Sequence, residues 1–163
     1  MPRNNVSSIS AVRDGPVIQF DESGFSASQA FVDGSPVNLA SYIQEHKLDT
    51  RLPLVADYSG AAINVSFQAV DAENGSVTFY APVFAGVEYR LAAPLESYAD
   101  ALVKEAEALD SSGTAFSCNC ILNYLYGELE GRTAGHLNGP MTFGEIAYQL
   151  VNQTLVRLRV EQV

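Results

Sequence analysis

Alternation of apolar and polar side chains predicts β-strands through the middle of the chain. Apolar residues occupy every second position over 63–69, 77–83 and 87–91, which is the period of a half-buried strand. Between the first two ranges, 71–75 ends in Asn-Gly, a pair that supplies the positive φ angles of a hairpin turn. We therefore predict a meander of three antiparallel strands over these ranges.

Apolar residues at helical spacing predict about three packed helices. Over 95–109 they form one stripe, and acidic residues lie away from it. A second helix is predicted from Ile121 and ends at one of the glycines that follow it. Ser35 and Pro36 predict the start of another helix, because serine is a common N-cap and proline is favoured at the first helical position.

The order of these elements favours an α+β fold with a largely antiparallel sheet, since strands fill the middle and the clearest helices come late. The chain has 163 residues, enough for one sizeable core, and its sequence contains no evident linker or repeat. Residues 1–14 are polar and lack periodicity. We therefore predict a flexible tail over 1–14 and a single domain over 15–163.

Charge excludes several classes of partner. Nine Lys and Arg residues stand against 19 Asp and Glu residues, for a net charge of −10. Nucleic acids and anionic membranes bind through clustered cations, so we expect neither as a partner. The chain also lacks an apolar run of the ~20 residues that a membrane span needs, and no apolar stretch follows the early arginine as in a signal peptide. We predict a cytoplasmic protein.

Candidate chemistry is sparse, and no catalytic constellation is evident. The only histidines, His46 and His136, are too isolated in sequence to predict a metal site, and we expect no cofactor. Cys118 and Cys120 are one residue apart, a spacing that would strain a disulfide, so we expect two thiols.

The junction between a predicted strand and helix, Ser117 to Cys120, is the most distinctive local feature. If Asn119 caps the helix, both cysteines lie beside its positive end, where the pKa of a thiol falls and anions are attracted. A nucleophilic cysteine with His136 as its base is one interpretation. In the other, one cysteine fills the core and its neighbour lies against the cap.

A second candidate segment is 139–146. We expect a strand over 143–146, in which Glu145 points to the same side as Phe143. If Phe143 packs inward, the carboxylate is also buried, where it needs a cation or hydrogen-bond donors. That cation is either the amine of a ligand or a structural arginine such as Arg157. The later segment Asn152-Gln153-Thr154 is either part of a site or a turn that satisfies its own backbone.

Three motifs occur together in the C-terminal two thirds of the chain. Thr142-Phe143-Gly144-Glu145-Ile146-Ala147 is followed by Asn152-Gln153-Thr154-Leu155, Phe116-Ser117-Cys118 ends a predicted strand, and 84–91 forms a glycine-containing strand before the long helix. Together, over roughly residues 35–163, they resemble the FIST C-terminal domain family. One departure is that the arginine expected soon after the cysteine is absent, since the next is Arg132.

The resemblance implies an intracellular sensory domain of signal transduction that binds a small molecule, such as an amino acid. On this hypothesis the start of the second helix holds a carboxylate and Glu145 holds an amine. The expected ligand-binding residues are Ser117, Cys118, Asn119, Cys120, Thr142, Gly144, Glu145 and Asn152.

Two other functions fit the same sequence. One is a structural or interaction protein that forms a homodimer through an unpaired edge of the closing strand near Leu155 and Val156, with a vestigial pocket. The other is a cysteine-dependent enzyme, which needs a base near the thiol.

Overall fold

A computed structural model describes residues 6–7, 15–58, 61–94, 96–108, 114–126, 128–132, 139–146 and 149–159. Strands dominate these residues, most of them pair antiparallel, and there are three helices, so the predicted α+β class is confirmed. The chain divides into two compact units. We name them by their place in the sequence: the terminal unit (1–9 and 95–163) and the central unit (10–94).

Short strands outnumber helices in the part of the chain that the structure describes. The helices are α1 (Leu39–Glu45), α2 (Tyr98–Ala108) and α3 (Ile121–Tyr126). The strands are β1 (Val6–Ser7), β2 (Ile18–Gln19), β3 (Gly24–Ala27), β4 (Gln29–Val32), β5 (Ser35–Asn38), β6 (Leu54–Tyr58), β7 (Ala61–Val65), β8 (Phe67–Asp71), β9 (Ser76–Val83), β10 (Tyr89–Leu91), β11 (Thr114–Cys120), β12 (Met141–Thr142), β13 (Glu145–Ile146), β14 (Gln149–Leu150) and β15 (Leu155–Arg159).

The central unit contains two sheets, one with strand order β5-β4-β2-β10-β6-β7 and one with order β3-β9-β8. Alternate residues of β9 are buried, as the sequence pattern predicts, and Phe79 is the largest of them. Its ring lies 5.8 Å from Phe20 and 5.6 Å from Phe67, centroid to centroid. Phe20 also contacts Tyr89 edge to face at 5.5 Å, so an aromatic cluster forms the centre of this core.

The predicted meander is wrong in its third strand. The hairpin of β8 and β9 forms as expected, but β10 pairs with β2 and β6 in the other sheet. The predicted strand over 63–69 also divides at Ser66 into β7 and β8. The Ser66 carbonyl accepts a hydrogen bond from the backbone N–H of Tyr80 at 2.9 Å, where the chain passes from one sheet to the other.

The predicted helix start at Ser35 and Pro36 is also wrong, because these residues belong to β5. This strand is at the edge of its sheet, where the missing N–H of proline costs no ladder hydrogen bond. Helix α1 begins after Asn38, whose Oδ1 accepts from the Ser41 N–H at 3.0 Å. Asn38, three residues after Ser35, is therefore the N-cap of α1.

The terminal unit contains a sheet with order β1-β15-β11-β12. Strands β1 and β11 pair antiparallel with β15, whereas β12 pairs parallel with β11. The apolar stripe of α2 forms a core with two residues from outside the helix, as the pattern over 95–109 predicts. This core consists of Ala99, Leu102, Ala106, Leu129 and Leu155.

Within the predicted flexible tail over 1–14, which stays a prediction, the structure describes strand β1. Val6 pairs with Val156 and Ser7 with Leu155, so these two residues belong to a sheet. The remaining residues of 1–14 lie outside the described residues. The single domain over 15–163 stays a prediction beside the division into two units. No helix within the described ranges has the length and apolar character needed to cross a bilayer.

Candidate functional site

Three segments that the sequence singles out meet at the end of β11. Cys120 pairs with Thr142 of β12, and its backbone N–H donates to the Thr154 carbonyl at 3.0 Å. The N–H of Asn119 donates to the Pro140 carbonyl at 3.1 Å. The end of β11, the segment before β12 and the 152–154 turn are therefore held together by backbone hydrogen bonds.

One face of β11 at this point is polar and buried. Ser117 and Asn119 alternate along the strand and lie opposite Arg157 and Leu155 of β15. Directly opposed residues of an antiparallel pair share a sheet face. All four side chains are buried, and Arg157 is only 4% exposed. A buried cation and two polar side chains thus lie on the same face as Leu155, which belongs to the helix-covered core.

Asn123 on α3 forms hydrogen bonds with several segments of this region. We orient its amide so that Nδ2 donates to the Gln153 carbonyl at 3.0 Å and to the Tyr98 hydroxyl, and Oδ1 accepts from the Thr154 N–H at 3.1 Å. This orientation gives every polar atom of the amide a partner. With the Asn119 amide oriented to match, its Nδ2 donates to Asn123 Oδ1 at 2.8 Å and completes the network. Asn123 therefore connects α2, α3 and the 152–154 turn.

The predicted capping role of Asn119 is wrong. Strand β11 continues through Cys120, so Asn119 is a strand residue and α3 begins two residues after it. Its side chain meets Asn123, four positions later, rather than the backbone of the first helical turn. In the structure the Asn119 side chain joins the end of β11 to α3.

The two cysteines are buried free thiols. Burial raises the pKa of Cys118, which is the opposite of what an activated nucleophile requires. Helix α3 has only six residues, too few to build an anion site from its N-terminus alone. The structure thus favours cysteines that fill the core. His136, the proposed base, lies outside the described residues.

Two glycines allow the segments to approach each other. An ideal Cβ on Gly139 would lie 1.5 Å from the carbonyl oxygen of Ser117. The backbone at Gly139 is therefore in direct contact with the backbone of β11. Gly144 is buried with φ at +105°, and a Cβ there would lie 3.2 Å from Asn152 Nδ2. The backbone N–H of Val151 donates to the Gly144 carbonyl at 2.8 Å. Gly144 and Asn152, both predicted site residues, are therefore neighbours.

Glu145 is the exposed member of the predicted site, in which the other residues are buried or, in the case of Thr142, half-buried. It pairs with Leu150 in the short β13–β14 ladder, and its side chain is exposed. Phe143 is 79% exposed, so the condition for an inward carboxylate is not met. The predicted strand over 143–146 forms only at 145–146, because the chain bends at Gly144. Thr142 is half-buried, and its Oγ1 accepts from the Gly144 N–H at 3.2 Å.

Asn123 and Tyr98 are the residues of this region that sequence reasoning missed. The spacing of four between Asn119 and Asn123 was the available signal, since residues four apart share a helix face. That signal was hidden because the first residue of the pair lies in a strand. In the described ranges, no three His, Cys, Asp or Glu side chains gather in a way that could hold a metal ion.

Comparison with known proteins places the sequence in a family. The profile of a family of unknown function, DUF6976, matches residues 1–161. The chain belongs to the DUF6976 family. The match runs through the terminal and the central unit, so both are parts of the DUF6976 sequence. No curated protein and no solved structure matches this DUF6976 member.

Proposed function

We propose that the terminal unit binds a small polar molecule of amino-acid size and acts as a sensory domain in intracellular signal transduction. The observation that supports this most directly is the meeting of three predicted site segments at the end of β11. The resemblance to the FIST C-terminal domain supplies the expected class of ligand. Binding sites typically combine an apolar wall with a few convergent polar groups, and this region contains both.

The residues divide into a scaffold and a set of candidate contacts. Asn119 and Asn123 satisfy each other and the neighbouring backbone, so they position the strand end. Thr142 and Asn152 offer a hydroxyl and an amide group suited to a ligand carboxylate or amine. Ser117 lies with Asn119 on the opposite face of β11 from Cys120 and Thr142, so it belongs to the scaffold. Glu145 is exposed and would meet an amine from the solvent side.

A thermal-shift screen over the amino acids and small carboxylic acids tests this function. A ligand at 100 times its Kd stabilises the folded state by about 2.7 kcal/mol, which is readily detected as a rise in Tm. We expect Thr142→Val to reduce that rise, because it removes the hydroxyl and keeps the shape of the side chain. Thr78→Val, at a half-buried position of β9, is the matched control. The absence of any shift at millimolar concentrations would count against the proposal.

A second candidate, a homodimeric interaction protein, is supported by one apolar pair. Phe116 and Leu158 lie opposite each other on β11 and β15, and they are 51% and 39% exposed. Strand β15 lies between β1 and β11, so this candidate uses the sheet face rather than the predicted strand edge. Sedimentation equilibrium should then detect a dimer that Phe116→Ser dissociates. A wild-type monomer at all concentrations would contradict it.

A further inference from the structure

The most exposed large apolar side chain among the described residues is Phe143, at 79%. Met141, two positions earlier, is 47% exposed, and the exposed Glu145 follows two positions later. We call these three residues the Phe143 surface. A single exposed apolar residue is ordinary, but these two and an exposed carboxylate occupy alternate positions of five consecutive residues and make this short segment amphipathic.

The backbone that carries the Phe143 surface is fixed on both sides of the phenylalanine. Before it, Thr142 pairs with Cys120 of β11. After it, the Gly144 N–H donates to Thr142 Oγ1, and the Gly144 carbonyl accepts from the Val151 N–H at 2.8 Å. Binding is favoured when the contact residues are already ordered, because association then costs less conformational entropy.

Charge indicates the kind of partner. The exposed charged residues of the terminal unit that the structure describes comprise six acidic and two basic side chains. They are Glu96, Asp100, Glu107, Glu128, Glu130 and Glu145 against Lys104 and Arg132. Arg132 is already paired with Asp100. A second copy also carries a net charge of −10, so electrostatic repulsion opposes self-association. A cationic partner is instead attracted by the negative charge of this unit.

We propose that the Phe143 surface docks a basic partner protein, which receives Phe143 in an apolar socket and places a lysine or arginine beside Glu145. Aromatic side chains buried at the centre of an interface carry much of its binding energy. A neighbouring ion pair sets the choice of partner and the rate of association. This interaction goes beyond small-molecule binding and does not require a ligand.

A random peptide library displayed on phage, selected against the immobilised ligand-free protein, tests the proposal. We expect the enriched peptides to combine an aliphatic or aromatic cluster with Lys or Arg. Fluorescence polarisation of one such peptide should show affinity reduced at least about tenfold by Phe143→Ser, as for an interface hot spot. Glu145→Gln should weaken binding less and should lower its dependence on salt.

Leu125→Ser is the matched control, because Leu125 is an apolar residue of the same unit that is 59% exposed. We expect it to leave the affinity unchanged, and the Tm of each variant confirms that it is folded. Three results would overturn the proposal. They are enriched peptides that are acidic or uncharged, equal loss of binding in Phe143→Ser and Leu125→Ser, and no more enrichment on the wild-type protein than on the Phe143→Ser protein. A dimer in sedimentation that Phe143→Ser dissociates would instead identify a second copy as the occupant.

Discussion

Gly144 lies against Asn152 so closely that a side chain on the glycine would press on the amide. An ideal Cβ on Gly144 would be 3.2 Å from Asn152 Nδ2 and 3.4 Å from the Val151 carbonyl oxygen. The φ angle of +105° is also one that residues with a side chain rarely adopt. The bend that separates the buried Gly144 from the exposed Glu145 therefore requires glycine at this position.

Replacing Gly144 by alanine should destabilise the protein by about 1–3 kcal/mol, because the backbone is strained and the amide must shift. Urea unfolding measures the loss. Gly24→Ala is the control, since its Cβ would lie 3.8 Å from the nearest atom, an ordinary contact at a φ outside the left-handed region. If both variants lose the same stability, the close approach of Gly144 to Asn152 has no energetic role.

Asn123→Ala should cost about 2–4 kcal/mol, because it leaves the buried Gln153 carbonyl and Thr154 N–H without their side-chain partner. Asn123→Asp should also destabilise, since a carboxylate cannot donate to the Gln153 carbonyl. Urea unfolding again provides the measurement. Gln68→Ala, at an exposed position of β8, should change stability by less than about 0.5 kcal/mol. A neutral Asn123→Asp would show that the amide does not bridge the turn.

Local patterns predicted elements well and sheet membership poorly. Alternation identified β9 because every second residue of the strand, Val77, Phe79, Ala81 and Val83, is buried. The stripe over 95–109 identified α2 because one core covers it. The same alternation cannot show whether β10 pairs with β9 or with β6, since either partner buries Tyr89. That choice depends on contacts between residues distant in sequence.

At the candidate site, too, local patterns predicted which segments meet but not how individual side chains are placed. Cysteine, asparagine and threonine residues before and after the predicted helix pointed to the end of β11, and the structure brings Cys120, Thr142 and Thr154 together there. The exposure of Glu145 could not be predicted, because it depended on whether Phe143 packs inward, and Phe143 is 79% exposed. The role of Asn119 depended on whether β11 ends before or after it, and boundaries are the least certain part of such predictions.

Both cysteines should resist alkylation in the folded protein. Burial raises the pKa of Cys118 and shields it from the reagent, so we expect its reaction with iodoacetamide near pH 7 to be at least about tenfold slower than that of a free thiol. Mass spectrometry follows the reaction, and urea should restore the free rate. In S41C, a cysteine at an exposed position of α1 should react at once. Fast labelling of native Cys118 would revive the nucleophile hypothesis.

The hydroxyls of Tyr58 and Tyr89 lie 2.7 Å apart, and the Phe84 N–H donates to Tyr89 at 2.9 Å. Burial, and then the hydrogen bond to Tyr89, hold the pKa of Tyr58 far above its usual value of 10.0. In the unfolded chain Tyr58 loses its proton near pH 10, whereas the folded protein retains it. The stabilisation is therefore complete below pH 10 and is lost as the pH rises above it.

Tyr58→Phe should cost about 1 kcal/mol at pH 7, the usual net value of one hydrogen bond. Above pH 10 the variant should lose stability less steeply than the wild type, because it has no phenol at position 58 whose ionisation favours the unfolded chain. Urea unfolding at a series of pH values between 8 and about 11 gives both slopes. Thr78→Val, which removes a half-buried hydroxyl of the same unit that does not ionise in this range, should follow the wild-type slope. Equal slopes for Tyr58→Phe and the wild type would show that the Tyr58 hydroxyl ionises as freely in the folded protein as in the unfolded chain.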